Sequence, residues 1–263
     1  PPTTTTVPPT TTTVPPTTTT VPPSGFVVRN ATNTGVPAGT VLTPASDITV
    51  TVDGTVLSGL DINGCVTVKA KNVTIKSSRV RCDGYYPIRA DGGFNTLIQD
   101  VTIDGKGSST PTAVYGDNYT VLRANIFGVG DGPRAGSNVT VQDSYIHDLV
   151  VANGSHNDGI QSTGGSNIVI RGNNIQHPNQ GNATLMLTPT FGPLSNVVVE
   201  NNLLNGGSFT VHAGGDPTEA ATTNVVFRNN RFGRDYIYGI KSFGVGAIAW
   251  TNNTWYDNGV IIP

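Results

Sequence analysis

A nine-residue phrase recurs eight times between residues 72 and 255, with apolar residues at its fourth and ninth positions. The phrases begin at Asn72, Asn95, Asn118, Asn138, Asn167, Asn196, Asn224 and Ala247. A unit that recurs at this period cannot bury its apolar side alone, so successive units must stack on one another. The pattern therefore predicts a solenoid.

Each phrase begins as a strand and then changes direction. Its second and fourth positions alternate with polar neighbours, which is typical of a strand with one buried face. A straight strand would place the fourth and ninth residues on opposite faces, so we expect a bend between them. The seventh position is Asn173, Asn202, Asn230 and Asn253 in the last four phrases. Asn tolerates left-handed backbone, and its amide can bond to the Asn of the next coil, which predicts a ladder.

These phrases and their stacked Asn residues resemble the right-handed parallel β-helix of the pectate-lyase-like superfamily, over about residues 45–263. The resemblance implies an all-β fold of about eight to nine coils, in which neighbouring coils are separated by one strand spacing. Residues 24–54 lack the phrase but hold alternating strands, and we predict that they cap the N-terminal end of a domain spanning 24–263. A cap is expected because the end of an open solenoid is a bare sheet edge.

Composition agrees with many short strands joined by turns, since only 12% of residues are charged and 32 of 263 are Gly. The net charge of −2 leaves no electrostatic footprint for nucleic acid or an anionic membrane. No apolar run is long enough to span a bilayer, so membrane insertion is not expected. Cys65 and Cys82 are nearly one circuit apart, which suits a disulfide in a secreted protein. The alternative is a pair of buried free thiols.

The sequence opens with PPTTTTV three times, and residues 1–23 are expected to form an extended linker. Such tracts look like the O-glycosylated linkers of secreted bacterial polysaccharide-degrading enzymes. We therefore expect an extracellular or cell-surface location.

The strand before each phrase predicts a straight file of outward side chains for binding an elongated substrate. The predicted binding residues are Arg89, Tyr115, Arg134, Gln161, His212 and Lys241. Met186 or Thr188 fills the position between Gln161 and His212. A slip of one residue would exchange the inward and outward sets. Longer coils between residues 138 and 224 are expected to wall this file into a groove.

Asp131-Gly132 and Asp158-Gly159 align on successive coils, which would stack two carboxylates about 5 Å apart. Like charges at that distance raise one pKa and so favour an acid and a base. We therefore predict a catalytic centre of Asp131 and Asp158, with His156 nearby. The competing interpretation is that Asp-Gly is ordinary turn chemistry repeated on stacked coils. His177 is expected to be exposed.

The catalytic motifs of polygalacturonases and pectate lyases are not matched, so no family's catalytic residues are carried over. No cofactor is predicted. No pair has zinc spacing, and calcium would need more oxygens than Asp131, Asp148 and Asp158 offer. The expected partner is an extracellular polysaccharide, cut by a hydrolase or a lyase. Two alternatives are a non-catalytic carbohydrate-binding or adhesion module, and a subunit of an extracellular filament or surface assembly that self-assembles through the Pro/Thr stalk.

Overall fold

The chain winds as a right-handed parallel β-helix, as its phrases predict. The computed structural model describes residues 26–152, 155–177 and 181–263, and these residues form strands and no helix. The strands make three parallel sheets, and each turn of the chain adds one strand to each sheet. The predicted linker, 1–23, lies outside the described residues. Within the described ranges no helix is present that could cross a membrane.

The strands are numbered in chain order, and the three sheets are named A, B and C. Sheet A has ten strands, β1 (Thr43–Ala45), β4 (Leu60–Asn63), β7 (Arg79–Arg81), β10 (Thr102–Asp104), β13 (Asn125–Phe127), β16 (Tyr145–Ile146), β19 (Asn174–His177), β22 (Leu203–Gly206), β25 (Arg231–Phe232) and β28 (Thr254–Trp255). Sheet B has nine, β2 (Ile48–Val50), β5 (Val66–Val68), β8 (Ile88–Arg89), β11 (Thr112–Gly116), β14 (Asp131–Ala135), β17 (Asp158–Ser162), β20 (Ala183–Leu187), β23 (Phe209–Ala213) and β26 (Gly239–Phe243). Sheet C has nine, β3 (Val56–Ser58), β6 (Thr74–Lys76), β9 (Thr96–Gln99), β12 (Tyr119–Leu122), β15 (Val139–Gln142), β18 (Gly165–Arg171), β21 (Leu194–Glu200), β24 (Thr222–Arg228) and β27 (Ile248–Thr251).

The core is built from straight stacks of like residues, because in-register pairing places each inward side chain above its counterpart. The fourth positions of the phrases stack within sheet C and the ninth positions within sheet A. The sheet A stack runs through Ile62, Val80, Ile103, Ile126, Ile146, Ile175, Leu204 and Phe232. All eight side chains are fully buried. The bend predicted between the fourth and ninth positions is thus the corner between two sheets.

The corner between sheets C and A carries the predicted Asn ladder. The Nδ2 of Asn202 donates to Oδ1 of Asn230 at 2.9 Å, and Asn173 and Asn230 make matching bonds to the next Asn. These amides are buried, so the ladder satisfies backbone groups that water cannot reach. The left-handed backbone lies one residue earlier, for example at Asn201 with φ 57°. The sixth position makes the turn and the seventh makes the ladder.

A second ladder, which was not predicted, runs along the surface at the first position of the phrases. The Nδ2 of Asn167 donates to Oδ1 of Asn138 at 2.9 Å, and Asn224 bonds Asn196 in the same way. Each of these residues has φ between 53° and 59°, in the left-handed region. Asn is favoured there because its short side chain tolerates that conformation and bonds its neighbour.

The N-terminal segment, residues 26–36, lies along the outer face of sheet A instead of over the end of the helix. Its contacts are Phe26 beneath the guanidinium of Arg231, Arg29 with Asp143 and Asn174, Gly35 with the carbonyl of Arg123, and Val36 with Thr102. The segment therefore crosses successive coils towards the start of the helix. The prediction that residues 24–54 cap the end of the helix is therefore corrected for residues 26–36. These residues are held by groups on the face of sheet A and not by an exposed strand edge.

The two ends of the helix are fastened differently. A disulfide joins Cys65 and Cys82 on successive coils, with their Cα atoms 5.3 Å apart. At the other end the chain folds back, so that Nε1 of Trp250 donates to the carbonyl oxygen of Ile262 at 3.0 Å. Ile261 also forms an antiparallel bridge with Thr254.

Candidate functional site

The outer face of sheet B carries one straight file of side chains, one per coil. The register aligns Thr67, Arg89, Tyr115, Arg134, Gln161, Met186, His212 and Ser242. Five of the six predicted binding residues therefore stand in the predicted file, with Met186 rather than Thr188 between Gln161 and His212. We call these eight residues the sheet B file.

Lys241 does not belong to the sheet B file. It pairs in register with the buried residue Val211, while Ser242 pairs with His212. The Lys241 ammonium donates a hydrogen bond to the carbonyl oxygen of Pro263 and lies 4.7 Å from the ring centre of Trp250. The prediction placed Lys241 in the file by assuming a loop before β26 that is one residue shorter than the observed loop. A difference of one residue exchanges the two faces of a strand. Lys241 helps to close the C-terminal end.

A groove of about 650 Å³ follows the corner where sheet B turns towards sheet C. Five successive coils contribute to it, so at one strand spacing per coil it is roughly 19 Å long. Its lining includes Asp91, Tyr115, Asp117, Arg134, Thr163 and Phe191, with several Gly and Ser residues between them. Two members of the sheet B file, Tyr115 and Arg134, thus enter the groove.

Arg134 brings a cationic side chain into the groove. Its Nη2 donates to Oγ1 of Thr163 at 3.2 Å, and none of the ion pairs formed by the described residues includes it. Arg89, by contrast, makes two bonds of 2.7 Å to the carboxylate of Asp91. A guanidinium with free donors in a concave site suits a planar carboxylate from a ligand.

Aromatic rings flank Arg134 along the groove. Tyr115 precedes it by one coil and stacks on Tyr86, with ring centres 4.5 Å apart. On the other side lies Phe191, whose side chain is 79% exposed, although a large apolar ring normally gains by burial. Phe191 was not predicted, because a single aromatic residue in an irregular loop carries no periodic signal. Exposed rings beside a cation are suited to stacking on sugar.

Asp131 and Asp158 lie on neighbouring coils, and each carboxylate accepts a hydrogen bond from a backbone nitrogen of the next coil. Oδ1 of Asp131 accepts a hydrogen bond from the backbone nitrogen of Asp158 at 2.8 Å. In the same way, Oδ1 of Asp158 accepts from the backbone nitrogen of Ala183 at 3.0 Å. Gln161 and Asn182 donate further bonds to Asp158, which is fully buried. Each carboxylate therefore fixes the start of the next sheet B strand.

The glycine that follows each of these Asp residues has a packing role. A Cβ at Gly132 would overlap the carbonyl oxygen of Gly159, and a Cβ at Gly159 would overlap that of Thr184. The close approach of the coils thus requires glycine at both positions. The alternative interpretation of Asp-Gly as repeated turn chemistry accounts for both pairs.

Burial and mutual repulsion nevertheless change the acidity of the pair. Burial, followed by the charge of Asp131, raises the pKa of Asp158 to about 8. Burial also raises the pKa of Asp131, against the bonds donated by the Asp158 backbone and by Thr112. A proton-bearing carboxyl beside a second carboxylate has the chemistry of an acid and a base, although neither group lines the groove.

Three of the four histidines stand outside the sheet B file, each in a different environment. His156, predicted beside the Asp pair, is exposed and makes no hydrogen bond to another described residue. His147 stacks on Tyr145 at 4.0 Å and bonds both Asp148 and Asn125 on the sheet A face. His177, expected to be exposed, is buried, and its Nε2 lies 2.9 Å from the carbonyl oxygen of Asn157.

No family model and no curated protein matches this chain. Among the described residues, no three His, Cys, Asp or Glu side chains are grouped so that they could hold a metal ion. The fold and the groove are therefore the observations from which function has to be inferred.

Proposed function

We propose that the protein is a secreted domain of the pectate-lyase-like kind that binds an acidic extracellular polysaccharide along the groove. The observation that carries the proposal is Arg134, which forms no ion pair with another described residue and lines the same groove as the rings of Tyr115 and Phe191. The guanidinium would bind a sugar carboxylate in a bidentate way, and the rings would stack on neighbouring sugars. The disulfide agrees with an oxidising compartment.

An elongated ligand fits this surface because one side chain per coil repeats at a fixed spacing. The groove is partly open to solvent and crosses five coils, so an extended polymer can contact several coils at once. Compact ligands would use only one or two of these coils. A polysaccharide with carboxylates is therefore favoured over a small metabolite.

The test is binding of the full chain to soluble polygalacturonate, alginate, xylan and β-glucan, measured by calorimetry at low and moderate salt. We expect the two acidic polymers to bind. Salt should lower their affinity, because screening reduces the attraction between exposed charges. Arg134→Ala should lower the affinity about tenfold or more, whereas Arg171→Ala, on the outer face of sheet C, should not. Equal binding of acidic and neutral polymers, or an unaffected Arg134→Ala variant, would overturn the proposal.

A second candidate is hydrolysis by Asp131 and Asp158, and the raised pKa of Asp158 favours it. It requires the buried carboxyl to become accessible to a glycosidic oxygen. Release of reducing ends from the same polymers, abolished in Asp158→Asn, would support hydrolysis. Ultraviolet absorbance from unsaturated products would indicate a lyase instead. If neither product appears, the groove binds without cutting.

A further inference from the structure

Tyr115, which lines the groove, also belongs to a group of three neighbouring tyrosines. The ring of Tyr86 stacks on that of Tyr115 at 4.5 Å and an angle of 21°, and the ring of Tyr85 lies 6.0 Å from Tyr86. Tyr85 is 73% exposed. We call Tyr85, Tyr86 and Tyr115 the tyrosine cluster. It presents aromatic area and phenol groups to solvent beside the groove, which it meets at Tyr115.

The segment that carries two of these rings is held by the disulfide. Gly84 precedes them, and its backbone nitrogen donates to Sγ of Cys82 at 3.3 Å. A Cβ at Gly84 would lie 3.2 Å from Sγ of Cys65 and 3.3 Å from Sγ of Cys82, so the turn packs directly on the bond. Its other end is tied by the carbonyl of Tyr85, which accepts a bond of 2.9 Å from the Thr112 nitrogen. The cluster is thus preorganised, which lowers the cost of ordering it on binding.

The charge at this end differs from that at Arg134. The guanidinium of Arg89 lies 5.8 Å from the centre of the Tyr86 ring, but the Asp91 carboxylate neutralises it. A ligand group at the tyrosine cluster therefore meets aromatic faces and hydroxyls without net charge. One coil further on, Arg134 offers a positive charge that forms no ion pair within the described part of the chain.

We propose that the tyrosine cluster is a subsite for an uncharged pyranose ring, next to the carboxylate site at Arg134. The apolar face of a pyranose would stack on a ring, and its hydroxyls would bond the phenol groups. The preferred polymer would then alternate charged and neutral sugars. This inference rests on the proposed function, because it assigns a second binding position next to the groove, joined to it at Tyr115.

The experiment compares two acidic oligosaccharides of equal length with the full chain. One is hyaluronan, in which a uronic acid alternates with a neutral sugar, and the other is oligogalacturonate, in which every ring is charged. Wild-type protein should bind hyaluronan more tightly. Tyr86→Ala should weaken hyaluronan binding about two- to tenfold, as expected for the loss of one aromatic stacking contact. Tyr86→Phe keeps the ring and should bind close to wild type.

Tyr238→Ala provides the matched control, since Tyr238 is 72% exposed and packs on Phe209 near the other end of the helix. It should leave both affinities unchanged. If Arg134→Ala weakens binding while Tyr86→Ala binds hyaluronan as wild type does, the subsite is refuted and the groove stands. Equal wild-type affinity for the two oligosaccharides also refutes the preference for alternation. If neither oligosaccharide binds, the proposed function fails, and the subsite fails with it.

Discussion

The backbone nitrogen of Asp158 donates a hydrogen bond of 2.8 Å to Oδ1 of Asp131, which joins the two carboxylates through a peptide group. The same device recurs elsewhere: Asp47 accepts from the nitrogen of Cys65 at 2.7 Å, and Asp53 from that of Lys71 at 2.8 Å. In each case a carboxylate at a turn caps the backbone of the next coil. The pair at 131 and 158 differs because Asp158 is fully buried and Asp131 is half-buried, and burial raises the pKa of both.

The first prediction concerns the pH dependence of stability. The pKa of Asp158 is about 8 in the folded protein against an ordinary 3.8, so the folded state binds its proton more tightly than the unfolded chain does. The stabilisation is complete below about pH 4 and is lost as the pH rises towards 8. Asn at position 158 cannot bind this proton. Asp158→Asn should therefore reduce the slope of the unfolding free energy against pH by up to about 1.4 kcal/mol per pH unit. Urea unfolding at intervals from pH 4 to 9 measures it.

Asp257→Asn is the control for this series. The pKa of Asp257 is lowered by its hydrogen bond to Arg234, so its contribution has the opposite sign and is lost as the pH falls. The substitution should leave the slope between pH 5 and 8 as it is in the wild type. A wild-type protein whose unfolding free energy is constant across that range would show that Asp158 is ionised when folded.

The fold could be predicted from sequence because its main determinant is periodic. Stacked coils place the fourth residue of each phrase above the fourth of the next, so the core and the buried Asn ladder appear as repeated letters. The same periodicity predicted the alignment of Tyr115 with Arg134 and of Asp131 with Asp158. What the alignment could not tell was whether a carboxylate faces solvent or caps backbone. That distinction depends on how the preceding turn is packed.

The remaining errors arise where periodicity ends. The position of Lys241 depended on a loop length, and one residue was enough to turn the side chain to the other face. The segment 26–36 is held on sheet A by contacts between residues far apart in sequence, such as Arg29 and Asp143, which are 114 residues apart. Phe191 and Thr163 enter the groove from irregular corners. None of these contacts leaves a pattern that one sequence can show.

The second prediction tests the buried ladder. Nδ2 of Asn202 bonds the carbonyl oxygen of Ile170 and Oδ1 of Asn230, and its own Oδ1 accepts from the Asn173 nitrogen at 2.9 Å. Asn202→Ala removes the partners of the Ile170 carbonyl oxygen and the Asn173 nitrogen and creates a cavity, while the backbone nitrogen of residue 202 still donates to Oδ1 of Asn230. It should lower the unfolding free energy by about 3 kcal/mol or more. Chemical unfolding followed by circular dichroism measures the loss.

Asn196→Ala, on the exposed ladder, is the matched variant. Its amide can be replaced by water, but φ of 54° disfavours Ala, so a loss of about 1 to 2 kcal/mol is expected. Equal losses at positions 196 and 202 would mean that burial of the inner ladder contributes nothing extra.

The third prediction concerns the disulfide, which closes a loop with a sequence separation of 17. Replacing both Cys65 and Cys82 by Ser frees that loop in the unfolded chain and should lower stability by about 3 kcal/mol. Reductant should reproduce the loss in the wild type and have no effect on the double variant. If reductant leaves wild-type unfolding unchanged, the first coils are held by their packing alone.

The fourth prediction concerns the attachment of the N-terminal segment, 26–36. Arg29 bonds Asp143 at 2.6 Å with both side chains mostly buried, and its carbonyl accepts from Asn174 at 2.7 Å. Arg29→Ala removes the ion pair and should release the segment locally, since no strand of the three sheets depends on it. Limited proteolysis should then cut within 26–36 several times faster, while the midpoint of global unfolding falls only slightly. Arg79→Ala, which breaks an ion pair with Asp61 on the same sheet, should not change this cleavage rate. Equal cleavage of the Arg29→Ala variant and the wild type would show that the remaining contacts hold the segment on their own.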